Sequence, residues 1–163
     1  MCDADFEKCK NAAIRLLGYS AKSGQDLYNR LVQKGYTEET AAKTLAEMTQ
    51  YGYINDREFA ERRAQGLMNK GMGARAIRWK LKQQGIADDI IEEVINEVMD
   101  KGDSDALSER LFVLARQYYD RGKGDHRAKL RYASDALWRK GYDDEAISAV
   151  MERMENGEWK VEN

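Results

Sequence analysis

The sequence predicts an all-α protein built as three tandem three-helix repeats in an elongated, curved array. Three observations carry that expectation. One spacing of apolar residues and glycine recurs three times along the chain. Proline, which punctuates loops and edge strands, is absent from all 163 residues. No segment alternates with the period of two that a half-buried strand requires, so no sheet is expected.

The recurring pattern is an apolar residue, another four later, a glycine four after that, and an apolar residue next. It reads Leu27, Leu31, Gly35, Tyr36, then Ile77, Leu81, Gly85, Ile86, then Ala133, Leu137, Gly141, Tyr142. Residues four apart share a helix face, and a glycine in the left-handed conformation ends the helix. Lys34, Gln84 and Lys140 precede the three glycines, and the two lysines suit the negative end of the helix dipole.

The elements follow in order. The first repeat, residues 1–54, opens with a helix over about Phe6 to Leu17, then the Leu27–Leu31 helix, then a third helix starting near Thr37. The second, residues 55–102, opens over about Arg57 to Lys70, breaks at Gly71-Met72-Gly73, and starts its last helix near Asp88. The third, residues 103–158, opens over Ser104 to Arg121, breaks at Gly122-Lys123-Gly124, and starts its last helix near Asp143. Residues 159–163 are left as a tail. The last helices place apolar residues at matching offsets from their glycines: Ala41, Leu45, Met48; Ile91, Ile95, Val98; Ile147, Met151, Met154. The extra residues of the third repeat fall between Gly124 and Ala133, so its middle helix is expected to be longer.

Charge is balanced in sum and segregated in place. Lysine and arginine number 27 against 29 aspartates and glutamates, a formal net charge of −2. Eight cations lie between Arg57 and Lys82, opposed only by Glu58 and Glu61, and eight more lie between Arg116 and Lys140. From Asp88 to Asp100 there are six acidic residues and no basic one. The two sets can pair as solvated salt bridges within a repeat, or they can face a partner. With Ile77 and Leu81 inward, Arg75, Trp79 and Lys82 fall on the far side at ~100° per residue. Arginine and tryptophan are enriched in interfaces, and an aromatic beside cations suits a single strand. Trp79 can equally pack against a neighbouring repeat. Arg127 and Arg131, near Lys123 and Lys129, make a second candidate patch.

Catalysis finds little support. The one histidine, His126, sits between Asp125 and Arg127 in a charged, glycine-rich stretch and reads as a solvated turn residue. No nucleophile motif accompanies it, and Gly122-Lys123-Gly124 is too short for a phosphate-binding loop. Acidic pairs such as Asp88-Asp89 sit where helix dipoles explain them. Cys2 and Cys9 lack metal-ligand spacing and read as reduced thiols. A cytoplasmic chain without catalytic residues, metal or cofactor is expected. The acidic start, with no apolar run after it, argues against a secretory signal, and no stretch approaches a membrane span.

The second repeat carries the most specific string: Tyr51-Gly-Tyr-Ile-Asn-Asp56-Arg-Glu-Phe59-Ala60, leading through Gly71-Met-Gly73 into Ile77-Arg78-Trp-Lys-Leu81-Lys-Gln-Gln-Gly85-Ile86. This string resembles the RecX family, modulators of the RecA recombinase. Asp56, Phe59, Ala60, Gly71, Gly73, Ile77, Leu81 and Gly85 carry the likeness and read as structural. Asp56 is expected to cap its helix, with Phe59 and Ala60 facing the core.

The resemblance implies a monomer that binds RecA and its nucleoprotein filament, with single-stranded DNA as a further partner. It implies an inhibitory hold on ATPase and strand exchange, within homologous recombination, DNA repair and the SOS response. Arg57, Arg62, Lys70, Arg75, Arg78, Trp79, Lys82, Lys123, Arg127, Lys129 and Arg131 are the candidate contacts with partner or DNA. A stand-alone DNA-binding protein of helix-turn-helix type is the alternative, since three-helix units with glycine turns look alike at this level. A helical scaffold without a nucleic-acid role is a third.

Overall fold

In the computed structural model, residues 3–100 and 104–157 are described, and all regular structure among them is α-helical. The first repeat holds α1 (Asp3–Tyr19), α2 (Gly24–Gln33) and α3 (Glu38–Gln50). The second holds α4 (Asp56–Asn69), α5 (Ala74–Gln83) and α6 (Asp88–Asp100). The third holds α7 (Ser104–Arg121), α8 (His126–Arg139) and α9 (Asp144–Glu155). α1 extends beyond its expected ends, and α8 has 14 residues where α2 and α5 have 10. The added residues of the third repeat thus lengthen its middle helix, as the glycine spacing predicts.

The repeated glycines end their helices as the pattern demands. Gly35, Gly85 and Gly141 have φ of +93°, +74° and +86°. The amide of the apolar residue after each glycine donates back to the patterned leucine: Tyr36 to Leu31, Ile86 to Leu81 and Tyr142 to Leu137, each at 3.3 Å. This six-to-one bond satisfies a carbonyl that the ending helix would leave bare. The starts are capped by side chains. Ser23 accepts from the amide of Asp26, Thr37 from Thr40, Asp125 from Ala128 and Asp143 from Ala146.

Two expectations for the second repeat are corrected here. Asn55, not Asp56, caps α4: its side-chain oxygen accepts from the amide of Glu58 at 3.1 Å. Phe59 is half-buried beside Ser23 and Gln84 rather than inside the core, whereas Ala60 is fully buried. His126 also leaves its expected turn. It is the first residue of α8, and its Nδ1 lies 2.8 Å from the hydroxyl of Tyr119.

The chain divides into two compact units, Met1–Arg63 with Lys80–Val94, and Ala64–Trp79 with Ile95–Asn163. The first unit encloses Cys9, Ala13, Leu27, Leu31, Ala41 and Met48, all but solvent-free. The second encloses Ala115, Ala133, Leu137, Val150 and Met154 in the same manner. Emptying one such leucine site to alanine costs about 2–5 kcal/mol.

Within each unit, the start of one middle helix meets the end of the next repeat's middle helix. In the first unit, the Ser23 hydroxyl before α2 donates to the carbonyl of Gln84 after α5 at 2.5 Å. The Asp56 carboxylate also takes the amide of Gly24 at 2.8 Å, holding a negative charge at the positive end of α2. In the second unit, the amides of Gly73 and Arg75 donate to the carbonyls of Lys140 and Gly141 at 2.9 and 3.0 Å. The unpaired donors of one helix start thus satisfy the unpaired acceptors of another helix end.

Close approach explains why glycine recurs at these joints. A Cβ on Gly85 would overlap the side chain of Gln25, one on Gly141 would overlap Ala76, and one on Gly73 would overlap the backbone of Gly141. Gly35, at the end of α2, would meet nothing within 4 Å. The second and third copies of the glycine therefore do two jobs, and the first does one.

Candidate partner interface

The longer α8 presents an outward stripe. At ~100° per residue, Arg127, Arg131 and Trp138 fall within a ~40° sector whose edge is ~60° from the sector of Leu130, Ala133 and Leu137. The structure agrees: Leu130, Ala133 and Leu137 are buried, Arg127 and Arg131 are exposed, and Trp138 is 54% exposed. Neither arginine makes an ion pair among the described residues. An exposed indole in line with two uncommitted guanidinium groups is uncommon on a surface that serves only to be solvated.

The joint of the second unit adds a third cation to this stripe. Its two backbone bonds bring the first turn of α5 against the last turn of α8. The Arg75 side chain then donates through Nη2 to the carbonyl of Trp138 at 2.6 Å. Its guanidinium carbon stands 4.4 Å from the centre of the Trp138 ring. The charge sits at the negative end of α8 and on the indole face, two favourable placements of about 0.5–1 kcal/mol each. Trp79 lies one turn after Arg75 on the same face of α5 and is 61% exposed. Of the first patch of the sequence, Arg75 and Trp79 thus fall in the same unit as Arg127 and Arg131, with Arg75 joined to their stripe through Trp138, whereas Lys82 belongs to the other unit.

The other candidates are placed differently. Arg57 pairs with Glu61 at 3.1 Å and Glu93 at 2.8 Å, Arg62 with Glu58 at 2.7 Å, and Lys82 with Asp88 at 2.9 Å. These pairs lie on the surface of the first unit, where cations and acids largely answer each other. Arg78 is half-buried and engaged. Lys129 lies along the Tyr119 ring, its ammonium 5.4 Å from the centre, and Lys123 stays exposed before α8. Lys70 is exposed in the turn after α4 and borders an apolar groove rather than the stripe.

Trp138 is the functional candidate that the sequence reading passes over. Its signal was present: it lies seven residues after Arg131 and eleven after Arg127, and one residue beyond the inward Leu137. Among the described residues no group of three or more histidine, cysteine, aspartate or glutamate side chains could hold a metal ion. No described helix is long and apolar enough to cross a membrane.

Comparison with known proteins gives one consistent result. Residues 9–48 match the family profile described as RecX, first three-helix domain, and residues 55–95 the one described as RecX, second three-helix domain. The protein called Regulatory protein RecX from Chlorobium phaeobacteroides (strain BS1) is 30% identical over 155 residues, 94% of this chain and 98% of that one. Its namesake from Clostridium perfringens (strain 13 / Type A) is 26% identical over 159 residues, 95% of this chain and 72% of that one. The crystal structure of RecX from Lactobacillus salivarius superposes with a TM-score of 0.84 at 23% identity, covering 94% of this chain and 99% of that one. That last likeness is one of fold.

Proposed function

The chain belongs to the RecX family of regulatory proteins, and from that premise we propose that it binds the RecA recombinase on its single-strand filament and restrains ATPase and strand exchange. It acts without a catalytic residue of its own, as a cytoplasmic participant in recombination and DNA repair. The observation that carries this reading is the stripe of Arg127, Arg131 and Trp138 with Arg75 stacked on the indole. Such a surface offers guanidinium forks to carboxylates or phosphates and a large flat anchor beside them. Repeated units favour a polymeric partner, because contacts to successive subunits add through effective concentration.

The test is RecA's single-strand-dependent ATPase rate, titrated with this protein and with the variant Arg127→Glu/Arg131→Glu/Trp138→Ala. All three side chains are exposed, so circular dichroism is expected to be unchanged. The wild type is expected to depress the rate, and the variant to need roughly tenfold more protein or more for the same effect. An unaffected rate with wild type would refute the RecA reading. Full inhibition by the variant would refute this surface. Retention of duplex DNA with a steep salt dependence, and no effect on RecA, would instead favour the helix-turn-helix alternative.

A further inference from the structure

The second unit carries a groove that the stripe does not use. Its volume is about 690 Å³, and it runs between the end of α4, the start of α5, the end of α6, α7 and the start of α9. Met72, Met99, Leu107 and Leu114 line it without being fully buried, and Val113 at its edge is 52% exposed. Methionines adapt their shape to an incoming side chain at little cost, which suits a surface that receives a peptide rather than one that is merely loosely packed.

The charges bordering the groove decide what it can receive. Two are acidic, and both are engaged: Glu109 pairs with Arg153 at 2.6 Å, and Asp143 caps α9 by accepting from Ala146 at 2.8 Å. Two are basic, Lys70 and Arg110, and neither forms an ion pair among the described residues. Arg110 acts electrostatically on the Tyr142 hydroxyl at the same wall. With Arg153 counted, three cations stand against the carboxylates of Glu109 and Asp143 around the apolar floor, a net charge of +1.

We propose that this groove is a docking site for a partner protein's peptide segment that combines large apolar side chains with neighbouring aspartates or glutamates. The apolar residues fill the methionine-lined floor, and the acids meet Lys70 and Arg110. The inference does not depend on the RecA reading, since it rests on different residues and names the ligand only by its chemistry.

The experiment is fluorescence anisotropy with a labelled synthetic heptapeptide of three aspartates followed by Leu-Leu-Phe-Leu, and a control in which serines replace the apolar residues. Micromolar binding of the first and none of the control is expected, weakening as salt rises. Two variants with exposed substitutions keep the fold intact: Lys70→Glu/Arg110→Glu and Val113→Glu. Each is expected to weaken binding roughly tenfold. Equal binding of both peptides, or binding unmoved by both variants, would overturn the proposal. So would sedimentation showing a dimer that Val113→Glu dissociates, because the groove would then serve a second copy of the chain. RecA's ATPase response is expected to be unchanged in Val113→Glu, which separates failure here from failure of the function proposed above.

Discussion

Gly35 and Gly141 end equivalent helices with similar backbones, at φ +93° and +86°, yet alanine is expected to be far more damaging at the second. At Gly35 the new methyl meets no atom within 4 Å. The loss is that of forcing an L residue into the left-handed region, about 1–2 kcal/mol. Gly141→Ala carries the same backbone cost and also drives its methyl into Ala76. Relief requires the start of α5 to draw away from the end of α8. That movement breaks the bonds from Gly73 to Lys140 and from Arg75 to Gly141, and it lifts Arg75 from Trp138. Two hydrogen bonds at roughly 1 kcal/mol each, with about 0.5–1 kcal/mol for the cation on the ring, bring the total to about 4 kcal/mol.

Thermal and urea unfolding followed by circular dichroism read this difference. A chain of this size loses about 2–4 °C per kcal/mol, so drops of about 10 °C for Gly141→Ala and about 4 °C for Gly35→Ala are expected. In a Trp79→Phe/Trp159→Phe background, which leaves one of the chain's three tryptophans, Trp138 provides a local reporter, since its emission changes when Arg75 leaves the ring. Equal losses for the two variants, or a Gly141→Ala protein whose Trp138 emission matches the wild type, would refute the two-job account of the glycine.

Two further predictions address the first unit. Asp56→Ala removes the carboxylate that accepts the Gly24 amide and is expected to cost about 1–2 kcal/mol, with Asp56→Asn losing less because an acceptor remains; urea midpoints check both. Burial pushes the Cys9 thiol above its ordinary range, with the neighbouring Thr44 hydroxyl opposing, so the folded state holds this proton more tightly than the unfolded chain. Its contribution is complete below the ordinary thiol range and is lost as pH rises through it and beyond. In a Cys2→Ser background, the fall in urea midpoint between neutral and alkaline pH is expected to be steeper than in the same background with Cys9→Ala. Native Cys9 is expected to react with a thiol reagent only as fast as the first unit opens.

What could be read from the sequence follows from the range of each interaction. The helix ends were legible because a glycine, the leucine four before it and the apolar residue after it make one local bonding pattern. The longer α8 was legible because spacing alone sets it, and α7 occupies its expected span of Ser104–Arg121. The role of Asp56 was not. A carboxylate before an apolar run looks like a cap, and only the approach of α2 shows that it serves Gly24, 32 positions away, while Asn55 does the capping. Phe59 misled for a related reason. Its helical phase points inward, but the place it reaches is the lining of a groove shared with Ser23 and Gln84, where it stays half-buried.

The same distinction explains the candidate interface. Helical phase identifies Trp79, Arg127 and Arg131 as outward, and charge counting flags both basic stretches, but neither says which cations already have partners. On the first unit the acids of α4 and α6 reach Arg57, Arg62 and Lys82, and an exposed pair of that kind offers a partner little it does not already have in water. On α8 an acid is near, since Asp135 lies one turn after Arg131, yet neither Arg127 nor Arg131 forms an ion pair among the described residues. Arg75 stands between these cases. It is spent on Trp138, yet that contact leaves the indole more than half exposed and holds it in one orientation. A pre-oriented aromatic loses less freedom on binding than a mobile one, so under the function proposed above Arg75 adds to the affinity of the stripe without itself touching the partner.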